Sequence, residues 1–162
     1  MAPAHALTVR EYAQADAAWA ETLTAEFGGR LQARRGEVVD VLALPGLVAE
    51  AEGRRIGLLT YRVDGDECEL AFVMATERFR GAGSALLEAL RGRAEGCRLI
   101  WLVTTNDNVD AIRFYQRRGF VLRALRPGAV DEARRLLKPS IPALGDHGIP
   151  LRDELELELP LA

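Results

Sequence analysis

The chain has 162 residues, 49% of them hydrophobic and 28% charged, with a formal net charge of -3. That length and balance favour one folded domain over disorder and argue against nonspecific nucleic-acid binding as the main activity. No apolar run approaches the roughly 20 residues that span a bilayer, the N-terminal stretch lacks the basic start and apolar core of a signal peptide, and two cysteines, Cys68 and Cys97, are too few for a disulfide framework or a cysteine-rich zinc site. A cytoplasmic setting, no membrane partner and two small buried thiols are the expectations.

Residues 6–10, "ALTVR", alternate weakly and suit a first strand. Residues 11–29 bring Tyr12, Ala15, Trp19, Leu23 and Phe27 to helical intervals, and Gly28-Gly29 would end that helix. Residues 30–46 carry no clear period. Residues 47–75 read as a strand meander whose turns fall at "EGRR" and "DGDE". A helix over 81–95 follows, with Leu86, Leu87, Leu90 and Ala94 on one face. The nearly continuous apolar run 98–105 suits a central strand covered on both faces. Residues 108–119 form a helix that Asn106, Asp107 or Asn108 can cap and Gly119 can close. Residues 120–126 are another strand. Residues 127–151 hold four of the seven prolines and a short helical stretch, "AVDEARRLL". Residues 153–161, "DELELELPL", alternate strictly, so an exposed acidic face opposite a buried leucine face is expected. The order is β-α-β-β-β-α-β-α-β-β, an α/β domain with a mixed sheet.

The chemistry centres on "ERFRGAGSALLEAL" (77–90), where a strand runs through two glycines into a helix. Unpaired N–H groups and a partial positive charge at a helix start suit a phosphate, and glycines let it approach without meeting a Cβ. Arg78 and Arg80 add positive charge. A Walker loop would need a lysine after its last glycine, and a dinucleotide fingerprint would need glycine at position 86, where Leu86 stands. A helix start whose glycines serve only close packing is the competing reading.

Arg78-Phe79-Arg80-Gly81-Ala82-Gly83 resembles the R/Q-x-x-G-x-G/A signature of the GCN5-related N-acetyltransferase (GNAT) family. "NDNVDAIRFYQRRGF" is similar to that family's second block through Asn108, Ala111, Phe114, Tyr115, Gly119 and Phe120. The resemblance covers about residues 6–125, and the last strand also fits, so residues 1–162 are expected to form a single GNAT N-acetyltransferase domain, with a central mixed, mostly antiparallel sheet flanked by helices. Sequences ending "KPSIPALGDHGIPLRDELELE" resemble a bacterial subgroup whose substrate is usually not assigned.

The resemblance implies acetyl-coenzyme A as cosubstrate and a primary amine of a small molecule or protein as acceptor. It implies that the backbone of Arg78, Phe79, Arg80, Gly81, Ala82, Gly83 and Ser84 holds the pyrophosphate. Val73 corresponds to the strand residue that pairs with the pantetheine arm and offers an oxyanion donor. Ala71 and Met74 border the same groove, which opens where this strand splays from 98–105. Asn108 either bonds the arm or caps its helix, and Ala111 and Phe114 belong to the same block. Tyr115 occupies the general-acid position. Glu67 matches the base position in the family's histone-modifying members, and Glu69 would lie closer to the thioester; by alternation Glu67, Glu69, Ala71 and Val73 would share one strand face and Cys68, Leu70 and Phe72 the other, and a water chain is the alternative to either base. No cysteine lies in either motif, which disfavours a covalent acetyl-enzyme.

His5 and His147 lack metal-ligand spacing, and no metal is expected; His147 precedes the last strand, where a substrate contact is conceivable. The basic run 133–140 suits either a solvated helix face or contact with the cofactor's phosphates. Two rival classes stand beside the enzyme: a coenzyme A-binding or sensing module without turnover, and a nucleotide-binding α/β protein that shares only a glycine-rich turn. A homodimer paired through the leucine-rich C-terminal strand is a further expectation. The regions that set acceptor choice, 11–46 and 127–151, carry no recognition pattern.

Overall fold

The computed structural model describes residues 6–76 and 81–162. Within these described residues, nine strands and four α-helices follow in the order β1 (Thr8–Glu11), α1 (Ala17–Ala25), β2 (Leu31–Arg34), β3 (Glu37–Asp40), β4 (Gly46–Ala51), β5 (Arg54–Asp64), β6 (Glu67–Ala75), α2 (Ala82–Arg93), β7 (Leu99–Thr105), α3 (Val109–Gln116), β8 (Val121–Arg126), α4 (Ala129–Leu136) and β9 (Glu154–Pro160). Seven strands form one sheet in the order β1-β4-β5-β6-β7-β9-β8, and β2 and β3 form a separate hairpin. Every neighbouring pair in the large sheet is antiparallel except β6 and β7.

The alternating strands and the amphipathic helices bury two clusters, one on each sheet face. On the first face, Leu86, Leu87 and Leu90 of α2 pack with Tyr115 of α3, Phe120, and Ile100, Leu102, Leu157 and Leu159 of the sheet. On the second face, Ala20 and Leu23 of α1 pack with Val41, Leu42, Val48, Leu58 and Phe72. The apolar run of β7 is central, paired with β6 on one side and β9 on the other, as its continuous hydrophobicity predicts.

Four expectations change. The first helix is shorter than 11–29: β1 takes Glu11, a single 3-10 turn covers Gln14–Asp16, and α1 begins at Ala17. Residues 30–46, without a period in the sequence, contain the β2–β3 hairpin, whose turn places Arg35 at φ 51. The last strand is not an edge: β9 is paired on both sides, so it has no free side with which to join a second copy, and β8 is the edge instead. Finally, the acidic face of β9 is not solvated. Glu154 and Glu156 are only 4% and 8% exposed, because residues of the β2–β3 turn and of β8 cover them: the Arg35 amide donates to Glu154 and Arg126 pairs with Glu156.

Candidate active site

The strands β6 and β7 are paired only through Glu67–Leu99, Cys68–Ile100 and Glu69–Trp101, although β6 runs on to Ala75 and β7 to Thr105. Beyond Glu69 and Trp101 the two strands part, which is the expected splay. An extended ligand that enters there meets strand backbone on either side.

A bulge in β6 lies within the opening. Its register with β5 steps from Thr60–Phe72 to Tyr61–Leu70, which leaves Ala71 as the extra residue. Side chains beyond the bulge therefore swap faces. Val73 and Ala75 join Cys68 and Leu70 against α2, while Phe72 and Met74 face α1. This corrects the alternation reading: Glu67 and Glu69 lie on the α1 face, opposite the Val73 side chain, and Phe72 does not share the face of Cys68 and Leu70. A period-2 count cannot register one inserted residue.

Glu69 is buried and held by two guanidinium groups. Arg34 Nε donates to Glu69 Oε1 at 2.7 Å and Arg62 Nε to Oε2 at 3.0 Å. Both carboxylate oxygens are thus occupied. Glu67, at the paired end of β6, bonds Arg98. Among the described residues, three buried polar atoms without partners belong to this side, Thr60 Oγ1, Arg34 Nη1 and Arg126 Nη1. Trp101 lies at the head of the splay, and the Arg35 guanidinium sits over its ring at 4.5 Å.

Gly81 and Gly83 serve different needs at the start of α2. Gly81 is the N-cap residue at φ 78, a left-handed conformation that side chains rarely adopt, and its carbonyl accepts the first helical bond from Ala85. Gly83 is helical, but a Cβ there would sit 3.2 Å from the Phe114 ring. Close packing by Gly83 and an open helix start at Gly81 thus coexist. The N–H groups of Ala82, Gly83 and Ser84 fall in the first turn, where no intrahelical acceptor is available. Arg78, Phe79 and Arg80 lie outside the described residues.

Helix α3 brings the second motif alongside. Phe114, Tyr115 and Phe120 stack edge-on, each neighbouring pair with ring centroids 5.3 Å apart. Tyr115 is buried, and that burial pushes its phenol well above the usual tyrosine value. Ala111 and Phe114 pack against the same cluster. Asn108 is the N-cap residue of α3 but does not cap with its side chain; Nδ2 donates to Thr104 Oγ1 at 3.1 Å, towards the free end of β7.

Arg118 is the residue the sequence reading missed. Its guanidinium lies 3.6 Å from the Phe114 ring centroid and donates to Ser84 Oγ at 2.6 Å, which places a cation beside the α2 N-terminus. The signal was its position four residues after Phe114, one helical turn on.

The segment before β9 docks on the start of α3. Asn106 Nδ2 donates to the Pro150 carbonyl, and its Oδ1 accepts from the Arg152 and Asp153 amides. The Asp107 carboxylate accepts from the Asp146 amide at 2.9 Å, and His147 Nε2 meets Asp110 at 3.1 Å. A Cβ at Gly145 would run into Asp107. The basic run of 133–140 is solvated at Arg135, Leu136, Leu137, Pro139 and Ser140, while two of its cations fasten this segment: Arg134 donates to the carbonyls of Ile141, Pro142 and Leu151, and Lys138 to those of Gly28 and Leu31. Cys68 is buried, with its thiol pushed up to about 12, and both cysteines are free. Among the described residues, no group of three or more His, Cys, Asp or Glu side chains is placed to hold a metal ion, and no helix is long and apolar enough to cross a membrane.

A splayed parallel pair beside a glycine-led helix start defines an acyltransferase-type α/β fold. Residues 11–120 match the model of the acetyltransferase (GNAT) family, and the chain belongs to that family. It is 45% identical over 115 residues to the uncharacterized protein YdhI of Bacillus subtilis (strain 168), covering 69% of this chain and 71% of that one. Its fold is similar to that of an IAA acetyltransferase from Bacillus cereus, with a TM-score of 0.74 at 17% identity over 96% of this chain and 100% of that one. It is also similar to a Bacillus subtilis acetyltransferase solved in complex with CoA, with a TM-score of 0.69 at 17% identity over 97% and 100% of the two chains.

Proposed function

We propose that the protein transfers an acetyl group from acetyl-coenzyme A to a primary amine, on a small molecule or a protein, by direct attack in a ternary complex. The observation that carries this reading is the separation of β6 from β7 beyond Glu69 and Trp101, next to the open first turn of α2. Acetyl-coenzyme A, when bound, supplies the thioester. The cosubstrates crystallised with neighbours of the same fold, CoA in the Bacillus subtilis acetyltransferase and acetyl-CoA in yncA of Salmonella typhimurium, support this choice.

Each residue then has a part. The first-turn amides at Ala82, Gly83 and Ser84, with Arg118 beside them and the backbone of Arg78, Phe79 and Arg80, hold the pyrophosphate. The backbone of Ala71, Val73 and Met74 borders the arm, and the Val73 N–H meets the developing oxyanion. Asn108, Ala111 and Phe114 line the other side. As the N–C bond forms and the C–S bond breaks, Tyr115, kept protonated by its burial, gives a proton to the departing sulfur.

Water reaching the α1 face removes the amine proton in this scheme. Glu69 has both oxygens engaged by Arg34 and Arg62, so its role is to position those guanidinium groups at the head of the splay, while Glu67 lies at the closed, paired end.

Thermal shift tests the cofactor: at about 100 times the dissociation constant, acetyl-coenzyme A stabilises by about 2.7 kcal/mol, whereas ATP and NAD give no shift. Release of free thiol with a panel of amines tests turnover; binding without thiol release from any amine supports a sensing module instead. Stabilisation by ATP or NAD alone overturns the assignment.

A further inference from the structure

The buried pair at the head of the splay leaves a donor unused. Glu69 stands opposite Arg62 of β5 and Trp101 of β7, with all three side chains on the α1 face. Glu69 Oε2 accepts from Arg62 Nε at 3.0 Å and faces its Nη2 at 2.7 Å, so that oxygen is turned towards β5. Oε1 is turned away from β5, to the side where β6 and β7 part, and there it accepts from Nε and Nη2 of Arg34. One edge of the Arg34 guanidinium is therefore spent on Glu69. Nη1 belongs to the far edge. It is buried, in a residue only 6% exposed, and meets no acceptor among the described residues.

Glu69 cannot serve that atom. A carboxylate has about four lone-pair sites, and the four nitrogens of Arg34 and Arg62 fill them. Glu37, half exposed at the rim, bonds Arg62 rather than Arg34. Two guanidinium groups thus share one buried carboxylate. A buried N–H without an acceptor is destabilising, and the strongest acceptor for a guanidinium is a further carboxylate. Position sets the size of the molecule that brings it. Glu69–Trp101 is the last pair before the splay, and Val73 lies three pleated steps and a bulge further along β6, about 10 Å at about 3.3 Å per residue. An amine within about 3.5 Å of a thioester carbon at Val73, and a carboxylate oxygen about 2.8 Å from Nη1, leave about 4 Å between the two groups.

We infer that the acceptor is a short amino acid, with one to three carbons between its amine and its carboxylate: Arg34 Nη1 holds the carboxylate at the head of the splay, and the free amine reaches the thioester. Glu69 and Arg62 then act as positioning residues that fix the Arg34 guanidinium. This rests on the acetyltransferase reading and on Val73 marking the reacting carbon.

The test compares glycine, 3-aminopropanoate and 4-aminobutanoate by thiol release, each beside its own amide and the alkylamine that lacks the carboxylate. At least one acid should exceed both of its counterparts in kcat/KM by at least 10-fold. Arg34→Lys, which keeps a cation for Glu69 but has no Nη1, should bring that ratio near one by raising the acid's KM more than it lowers kcat, with the acetyl-coenzyme A thermal shift reporting that the variant is folded and loaded. Propanoate, a carboxylate without an amine, should inhibit the parent competitively against the acid, a measurement that needs no variant. Alkylamines turned over as well as the acids, an undiminished ratio in folded Arg34→Lys, or no inhibition by propanoate overturns the inference. Amides turned over as well as the acids overturn it too, and would give Nη1 a neutral carbonyl such as that of a polypeptide. If acetyl-coenzyme A itself gives no thermal shift, the acetyltransferase reading has failed first; a shift without turnover of the acids, or without preference for them, overturns the amino acid alone.

Discussion

Replacing Gly83 with glutamate separates the stability of α2 from its capacity to hold an anion. Without ligand the change should be mild. A non-glycine residue inside the helix gains up to about 1 kcal/mol in propensity over glycine. A carboxylate in the first turn adds about 0.3–1 kcal/mol through the helix dipole. Against this, the new Cβ lies 3.2 and 3.3 Å from two atoms of the Phe114 ring, so the half-buried ring must give by a few tenths of an ångström. The terms nearly cancel, and Tm should stay within about 4 °C, the size of a 1 kcal/mol change at this chain length. With ligand the balance reverses. A carboxylate about 5 Å from a phosphate charge costs about 3 kcal/mol at an effective dielectric of 20, a loss of more than 100-fold in affinity. The assay is calorimetric titration with acetyl-coenzyme A at two salt concentrations, with Gly83→Gln as the uncharged control. Glutamate should bind far more weakly than glutamine, and the gap should narrow at high salt. A folded Gly83→Glu protein that binds as tightly as the parent would remove the pyrophosphate from this helix start.

Tyr115→Phe should reduce kcat by about 100-fold while acetyl-coenzyme A affinity changes less than twofold; equal turnover would end the general-acid assignment. Gly145→Ala drives a methyl into Asp107 and should cost about 1–3 kcal/mol; acceptor KM rises while acetyl-coenzyme A affinity holds, because the segment it displaces lies away from the α2 start. Asp16 is fully buried, and bonds from Arg10, the Ala13 amide and Arg55 hold its carboxyl below the usual range. Its folded value is depressed, so its contribution is present above about pH 4, the unfolded value, and is lost as pH falls below it. Arg10 and Arg55 are about one-third exposed and partly rehydrate, so roughly 1–2 kcal/mol is at stake after screening by solvent. Denaturant unfolding between pH 6 and 2 should show this slope in the parent and a shallower one in Asp16→Asn; parallel curves would count against it.

Local pattern carried much of the architecture. The leucine spacing of α2, the apolar run of β7 and the alternation of β9 each appear where periodicity places them, because each encodes its own burial. The splay was expected from the resemblance that two motifs carry, whereas the meeting of Gly83 with Phe114 joins residues of those two motifs that nothing in either one pairs. What escaped the sequence depends on residues far apart in it. Burial of Glu154 is decided by the amide of Arg35, 119 positions away, so a strand that alternates acid with leucine reads as half-solvated when it is covered on both faces. The bulge at Ala71 shows no mark in "ELAFVMA", yet it moves Val73 to the opposite face from Glu69. The β2–β3 hairpin lacks the periodicity of a strand because its residues answer to charged partners: Arg34 to Glu69, and Asp40 to Arg30.

The place of β9 between β7 and β8 has a consequence for synthesis. As the chain emerges from the ribosome, β8 is made before the strand that joins it to the sheet, and β7 waits with one side unpaired beside the future cofactor cleft. Pairing across such sequence distances is slow to form, and exposed strand edges invite contact with other chains meanwhile. Nascent chains stopped before residue 154 should thus expose two unsatisfied edges, and ligand binding should appear abruptly once β9 clears the exit tunnel.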